Sequence, residues 1–205
     1  RWASECSEDV LARNWQRLIL THVAERTHRG VLMGAPLTDV RIVLVAGRAH
    51  PKHTEGGDFR QATYRAIRQG LMQARSLLLE PWYALSLEVP SDRVGRALSD
   101  LTRMAARFDP PTVRGDMALV EGVAPVSQIR DYALEVAAYT HGQGSLSLSP
   151  AGYEPCHNAD EVLEAAAYEP TRDLPNTPDS VFCSHGAGYT VPWYDVAAHA
   201  HVQAP

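Results

Sequence analysis

Between residues 83 and 149 the apolar pattern changes from a period of two to a helical period and back, twice over. Few architectures accept that order. Tyr83, Leu85, Leu87 and Val89 alternate along one strand face. Pro90-Ser91-Asp92 then breaks the strand and caps a helix in which Val94, Ala97, Leu98, Leu101, Met104 and Ala105 keep helical spacing. Asp109-Pro110-Pro111 ends it, and residues 112–114 and 117–122 predict a hairpin about Gly115-Asp116, a favoured two-residue turn. Val126, Ile129, Tyr132, Ala133, Val136 and Tyr139 mark a second helix, and residues 145–149 a last strand. Two strand-helix-strand units in this order predict a ferredoxin-like split βαβ domain with its helices on one sheet face. That architecture serves many unrelated functions, so chemistry has to be sought elsewhere.

The informative stretch is residues 38–60. Residues 38–46 read as a strand, with Val40, Ile42, Leu44 and Ala46 on one face and Asp39 and Arg41 opposite. Gly57 and Asp58 open a helix, Asp58 being placed to accept from the free amides of the first turn, and Phe59, Ala62, Ala66, Ile67, Gly70, Leu71 and Ala74 follow at helical spacing to about residue 77. Between them Arg48, Ala49, His50, Pro51, Lys52, His53 and Thr54 form a segment without a large apolar side chain. It reads as a polar tip held between two rigid elements, where binding residues commonly sit, although a merely solvated connection has the same composition.

A strand ending in glycine, a histidine-bearing loop and a helix opening at Asp58-Phe59-Arg60 resemble the tip of the fourth domain of elongation factor G. The Asp-Phe-Arg start is similar to the tetracycline-resistance ribosomal-protection proteins, which share that architecture. Leu79-Glu80-Pro81 resembles the junction between the fourth and fifth domains of that family, read here as a break between domains. Ile129, Tyr132, Val136, Thr140, Gly142, Gly144 and Ser145 resemble the last helix and strand of the fifth, with Val136 where leucine is usual. The resemblance covers about residues 14–153.

The resemblance implies an α+β chain: a truncated βαβ domain like the second domain of ribosomal protein S5 (1–79), a ferredoxin-like domain (80–150) and a C-terminal extension (151–205). It implies a ribosome-binding fragment. Residues 48–54 would contact small-subunit RNA near the decoding and tetracycline sites, and the second domain would face the large-subunit stalk base. Tetracycline resistance by ribosomal protection is then the expected function, with ordinary translocation as the runner-up. The location would be the cytoplasm, and neither DNA nor a membrane is an expected partner. GTP and magnesium would belong to an upstream domain, because no Gly-x-x-x-x-Gly-Lys-Ser/Thr loop occurs in the 205 residues. The start, Arg1-Trp2-Ala3-Ser4, lacks methionine, and a longer protein is expected.

Charge agrees with one RNA-facing half. The net charge is −5, yet residues 1–75 hold 12 Lys and Arg against 7 Asp and Glu, while residues 76–205 hold 7 against 17. Residues 1–9 show no period and read as a frayed end, leaving the first domain without a first strand. Leu11, Trp15, Leu18, Ile19 and Val23 mark a helix ending near Gly30, whose other face offers Arg13, Arg17, His22, Arg26 and Arg29. That face suits RNA or plain solvation.

Three scattered cysteines, Cys6, Cys156 and Cys183, argue against a disulfide framework. A competing class is a metal-dependent enzyme using Cys156-His157, Cys183-x-His185 and His199-x-His201, but no recognised finger spacing occurs and no metal or catalytic residue is expected. Ser184-His185 lacks any marked third partner for a hydrolase. Residues 150–205 hold seven of fourteen prolines and a helical pattern over residues 159–168; residues 182–194 are too aromatic for disorder, and the tail is expected to pack back on a domain.

Overall fold

The first strand, β1 (Trp2–Ser4), leads to helix α1 (Arg13–Ala24), and β2 (Ile42–Leu44) pairs parallel to β1, Trp2 opposite Ile42 and Ser4 opposite Leu44. The computed structural model describes residues 1–50 and 54–202. Its α+β chain forms two compact units, residues 1–76 with 163–205, and residues 77–162.

β1 corrects the expectation of a frayed start. Three residues are too few to show a period in sequence, and parallel pairing supplies what the pattern lacks. The strand expected over residues 38–46 shortens to three residues: its partner β1 pairs only with Ile42–Leu44, and at the N-terminal side Asp39 takes a left-handed backbone, φ 52°. α1 likewise ends at Ala24 rather than near Gly30. Helix α2 (Gly56–Gln73) stops four residues short of expectation, at an extended Ala74. Leu11, Ile19 and Phe59 form the centre of this unit, with Trp15 stacked on Phe59 at 4.9 Å between ring centroids.

β3 (Leu79–Pro90) runs straight through the Leu-Glu-Pro sequence that reads as a break. Pro81 has no N–H for the ladder, and the register shifts between Pro81 and Tyr83, so a bulge absorbs the proline that composition alone marks as a stop. After it come α3 (Val94–Arg103), β4 (Arg107–Phe108), β5 (Thr112–Arg114), β6 (Met117–Pro125), α4 (Val126–Ile129), α5 (Tyr132–Tyr139) and β7 (Ser145–Pro155). The expected second helix is thus two pieces, and the last strand runs six residues further than its pattern. Strand order is β4-β6-β3-β7, with β5 also on β6 and β3 antiparallel to both neighbours, the ferredoxin-like arrangement.

Leu87, Val89, Leu101, Val120 and Ile129 are fully buried between sheet and helices. A side chain at Gly122 would meet the Phe108 Cα at 2.7 Å, so only glycine lets β4 close on β6. The Thr140-His141-Gly142-Gln143-Gly144 sequence is a helix stop. Gly142, at φ 80°, donates to the Ala137 carbonyl at 2.8 Å, and the Thr140 hydroxyl donates to Val136 O while accepting from the Gly144 amide.

The tail carries α6 (Ala159–Ala166), the hairpin β8 (Ser180–Ser184) and β9 (Ala187–Val191), and α7 (Val196–His199). His185 and Gly186, both left-handed, make its tight turn. Gln69 Nε2 donates to Pro178 O and Ser180 Oγ, each at 2.8 Å, so the tail packs against α2. Among the described residues no helix is long and apolar enough to cross a membrane.

Candidate nucleic-acid interface

The segment between β2 and α2 is anchored at both ends. Gly47 lets the backbone pass Leu11, where a Cβ would lie 2.8 Å from the leucine Cδ2, and Ala49 packs against the core formed by Leu11, Ile19 and Phe59. Ala49 therefore fastens the loop, while Arg48 and His50 are exposed. The His50 amide donates to Thr54 Oγ1 at 2.6 Å and the Thr54 amide donates to His50 O at 3.2 Å, which clamps residues 50 and 54 together. Pro51, Lys52 and His53 lie outside the described residues.

The helix that follows is capped differently from the sequence expectation. Glu55, not Asp58, is the N-cap; its carboxylate accepts from the Asp58 amide, and Asp58 Oδ2 accepts from the Glu55 amide at 2.9 Å. This reciprocal box starts the helix one residue earlier, and it puts two carboxylates at the positive end of the helix dipole. The clamp at Thr54 is thus followed directly by a fixed helix start. Such a loop presents cationic and imidazole groups from a stiff base, which suits contacts with phosphate oxygens and base edges.

The basic face of α1 is solvated only in part: Arg13, Arg17 and Arg29 are exposed, whereas Arg26 is half-buried and His22 is inside. His22 is buried and its Nδ1 donates to Glu25 at 2.9 Å. Arg13 pairs with Glu8 at 3.5 Å, Arg29 donates to Gly34 O at 2.8 Å, and Arg26 lies over the Tyr64 ring at 4.6 Å while donating to Asn176. Glu25 is a hub, accepting also from Arg60 Nε at 3.0 Å and from the Tyr64 hydroxyl. The Tyr64 hydrogen bond holds the Glu25 carboxyl below its usual range, with His22 and Arg60 adding to the effect against some burial. None of this could be read from spacing, because Glu25 sits beyond the last residue of α1.

The proposed metal ligands meet only in part. Among the described residues one trio, Glu80, Cys156 and His157, brings its ligand atoms within 4.8 Å of one another. Two of its members, Glu80 and His157, already satisfy each other, and the Cys156 thiol donates to Asn158 Oδ1 at 3.5 Å. His157 donates to Glu80 Oε1 through its backbone N at 2.8 Å and Nδ1 at 2.6 Å, and burial pushes the Cys156 thiol up, away from the thiolate a metal needs. Cys183, His185, His199 and His201 belong to no such trio among the described residues. Instead Phe182 lies 5.8 Å from the His199 ring and 6.2 Å from the His201 ring. Ser184 and His185 hydrogen-bond at 3.0 Å on an exposed hairpin turn.

Comparison with known proteins is consistent along the chain. Residues 2–75 match the family model of elongation factor G domain IV, and residues 77–162 match that of the elongation factor G C-terminus. The tetracycline resistance protein TetP of Clostridium perfringens is 32% identical over 154 residues, 75% of this chain and 24% of that protein. Elongation factor G 2 of Streptomyces coelicolor is 33% identical over 124 residues, 60% of this chain and 18% of that one. A crystal structure of a Thermus thermophilus protein superposes with a TM-score of 0.69 at 25% identity, covering 81% of this chain and 26% of its own. The chain thus spans about a quarter or less of the length of these curated relatives.

Proposed function

We propose, from the premise that this chain belongs to the elongation factor G family through its fourth and C-terminal domains, that it is the ribosome-binding part of a translational GTPase. The carrying observation is the clamped loop at the end of β2, with Arg48 and His50 exposed, inside the segment that matches domain IV. Arg48, His50, Lys52 and His53 contact small-subunit RNA near the decoding and tetracycline sites, and the unit of residues 77–162 faces the large-subunit stalk base. GTP hydrolysis belongs to residues outside these 205, which contain no phosphate-binding loop. The protein works in the cytoplasm.

Between drug protection and translocation, the span of the likeness favours protection. The match to a tetracycline resistance protein extends over 75% of the chain, against 60% for an elongation factor G at nearly equal identity. The test is translation in vitro with tetracycline present, using the full-length protein and a variant with His50, Pro51 and Lys52 replaced by alanine. Rescue by the parent, lost in the variant with GTPase activity retained, is expected. Equal rescue by both would remove the loop from the function, and no rescue by either would leave translocation as the reading.

A further inference from the structure

A second basic feature lies away from the loop. The C-terminal side of α1, one face of α2 and the tail residues 174–177 enclose a cavity of about 80 Å³. Arg26, Arg29, Arg65, Arg68 and His28 line it, and no carboxylate among the described residues does. Arg65 and Arg68 lie one turn apart on α2, so their guanidinium groups reach the same space.

Arg68 is the one of these whose charge is felt by a carboxylate among the described residues, Asp173, reached through Tyr168. Among the described residues, the ion pairs of the first unit use Arg13, Arg41, Arg60 and His22, and none uses the four arginines of the cavity. The acids next to the lining residues in sequence, Glu25 and Asp173, are also held by other donors. Glu25 is held by His22, Arg60 and Tyr64, and Asp173 accepts from the Tyr168 hydroxyl at 2.6 Å and from Asn176 Nδ2 at 3.0 Å. Arg68 is 4% exposed and fixed by Arg29 O at 2.8 Å, Gly30 O at 3.0 Å and Tyr168 Oη at 2.5 Å. Its Nε and the Nε of Arg65 are buried without a hydrogen-bond partner. Leaving donors of a charged group unmet in a sheltered place is costly, and four like charges around one space add repulsion.

An anion in the cavity offsets that repulsion and can accept from guanidinium N–H groups that face it. We propose that this pocket binds a phosphate oxyanion. A tetrahedral anion accepts several N–H groups at once, and guanidinium forks match it in shape as well as charge. Pockets for drug-sized ligands run from about 300 Å³, so this one has room for a single phosphate and not for a nucleoside. The phosphate is either part of an RNA backbone or a free ion. In both cases the tail has a purpose, since residues 174–177 form one wall.

The site is separate from the tip loop, and its test does not involve the ribosome. Inorganic phosphate, and separately a short RNA hairpin without terminal phosphate, are titrated into the 205-residue chain while the arginine Nε–Hε resonances are followed. Saturable shifts at Arg65 and Arg68 are expected, with affinity about tenfold weaker in Arg65→Ala and unchanged in Arg13→Ala. Arg65→Lys, which keeps the charge and loses the fork, should fall between them and serves if the alanine variant does not fold. RNA that competes with phosphate identifies a backbone phosphodiester; phosphate binding that RNA leaves undisturbed identifies a free ion. No saturable shift with either probe, or equal affinity in the Arg65 and Arg13 variants, overturns the proposal.

Discussion

Arg68 on α2 donates to the Tyr168 hydroxyl at 2.5 Å, joining residues one hundred positions apart. The phenol hands the contact on to Asp173, whose carboxyl is held below its usual range by Tyr168 first, and then by Asn176 and the charge of Arg68. The first unit is therefore built from both ends of the chain. Tyr168→Phe removes the acceptor of a buried guanidinium and should lower the stability of that unit by about 1–3 kcal/mol, read from denaturant unfolding. A change within error would mean that the tail only lies against α2 without holding it.

Glu80 plays the corresponding part in the other unit. It is 9% exposed and accepts from the His157 amide, His157 Nδ1 and, at 3.4 Å, the Ser127 hydroxyl. Glu80→Ala leaves those donors unmet and should destabilise residues 77–162 by about 2–4 kcal/mol in denaturant unfolding. Adding zinc to the parent should not raise its melting temperature; a clear rise would turn the Glu80, Cys156 and His157 trio into a metal site.

Alkali should attack the second unit through its tyrosines. Tyr132 and Tyr139 share a hydrogen bond at 3.2 Å and Tyr132 donates to Asp100 at 3.1 Å. Burial, before any neighbour, pushes both phenols above the ordinary value of 10.0, and for Tyr132 the Tyr139 hydroxyl and the Asp100 charge push further. Raised folded values mean that the contribution is whole below the unfolded value and is lost as pH climbs towards the folded ones. Circular dichroism should stay flat to about pH 10 and then fall with phenolate absorbance. Ionisation of all eight tyrosines near pH 10 with no change in structure would contradict this.

On the acid side the sign reverses at Glu25. Its folded value is lowered, chiefly by Tyr64, so its contribution is present above the ordinary 4.5 and fades as pH falls below that. Tyr64→Phe should move the carboxyl back up, as a carbon-detected NMR titration would show. An unmoved titration would assign the effect to His22 and Arg60.

The second unit was legible because its strands and helices are long enough to show a period, and the Gly115-Asp116 turn and the Thr140-x-Gly142-x-Gly144 stop depend on local backbone chemistry. The first unit was less so. β1 is three residues and is defined by its parallel partner, while Asp39 delays the start of a run whose composition already looks extended. Pro81 misleads in the opposite direction, since a bulge keeps it inside β3. At the candidate interface, the polar character of Arg48 and His50 is in the sequence, but the clamp by Thr54 and the inward packing of Ala49 are not. The arginine pocket needs tail residues more than a hundred positions from α2, which no local pattern could announce.

The most direct test of ribosome contact through the loop is local RNA cleavage. An iron chelate attached at His50→Cys, in an otherwise cysteine-free full-length protein bound to ribosomes, generates hydroxyl radicals within reach of the loop. Cleavage of small-subunit RNA around the decoding and tetracycline sites, absent when the chelate sits at Thr112→Cys, is the predicted result. The same cuts from both positions, or none from position 50 on a ribosome that retains the protein, would contradict it.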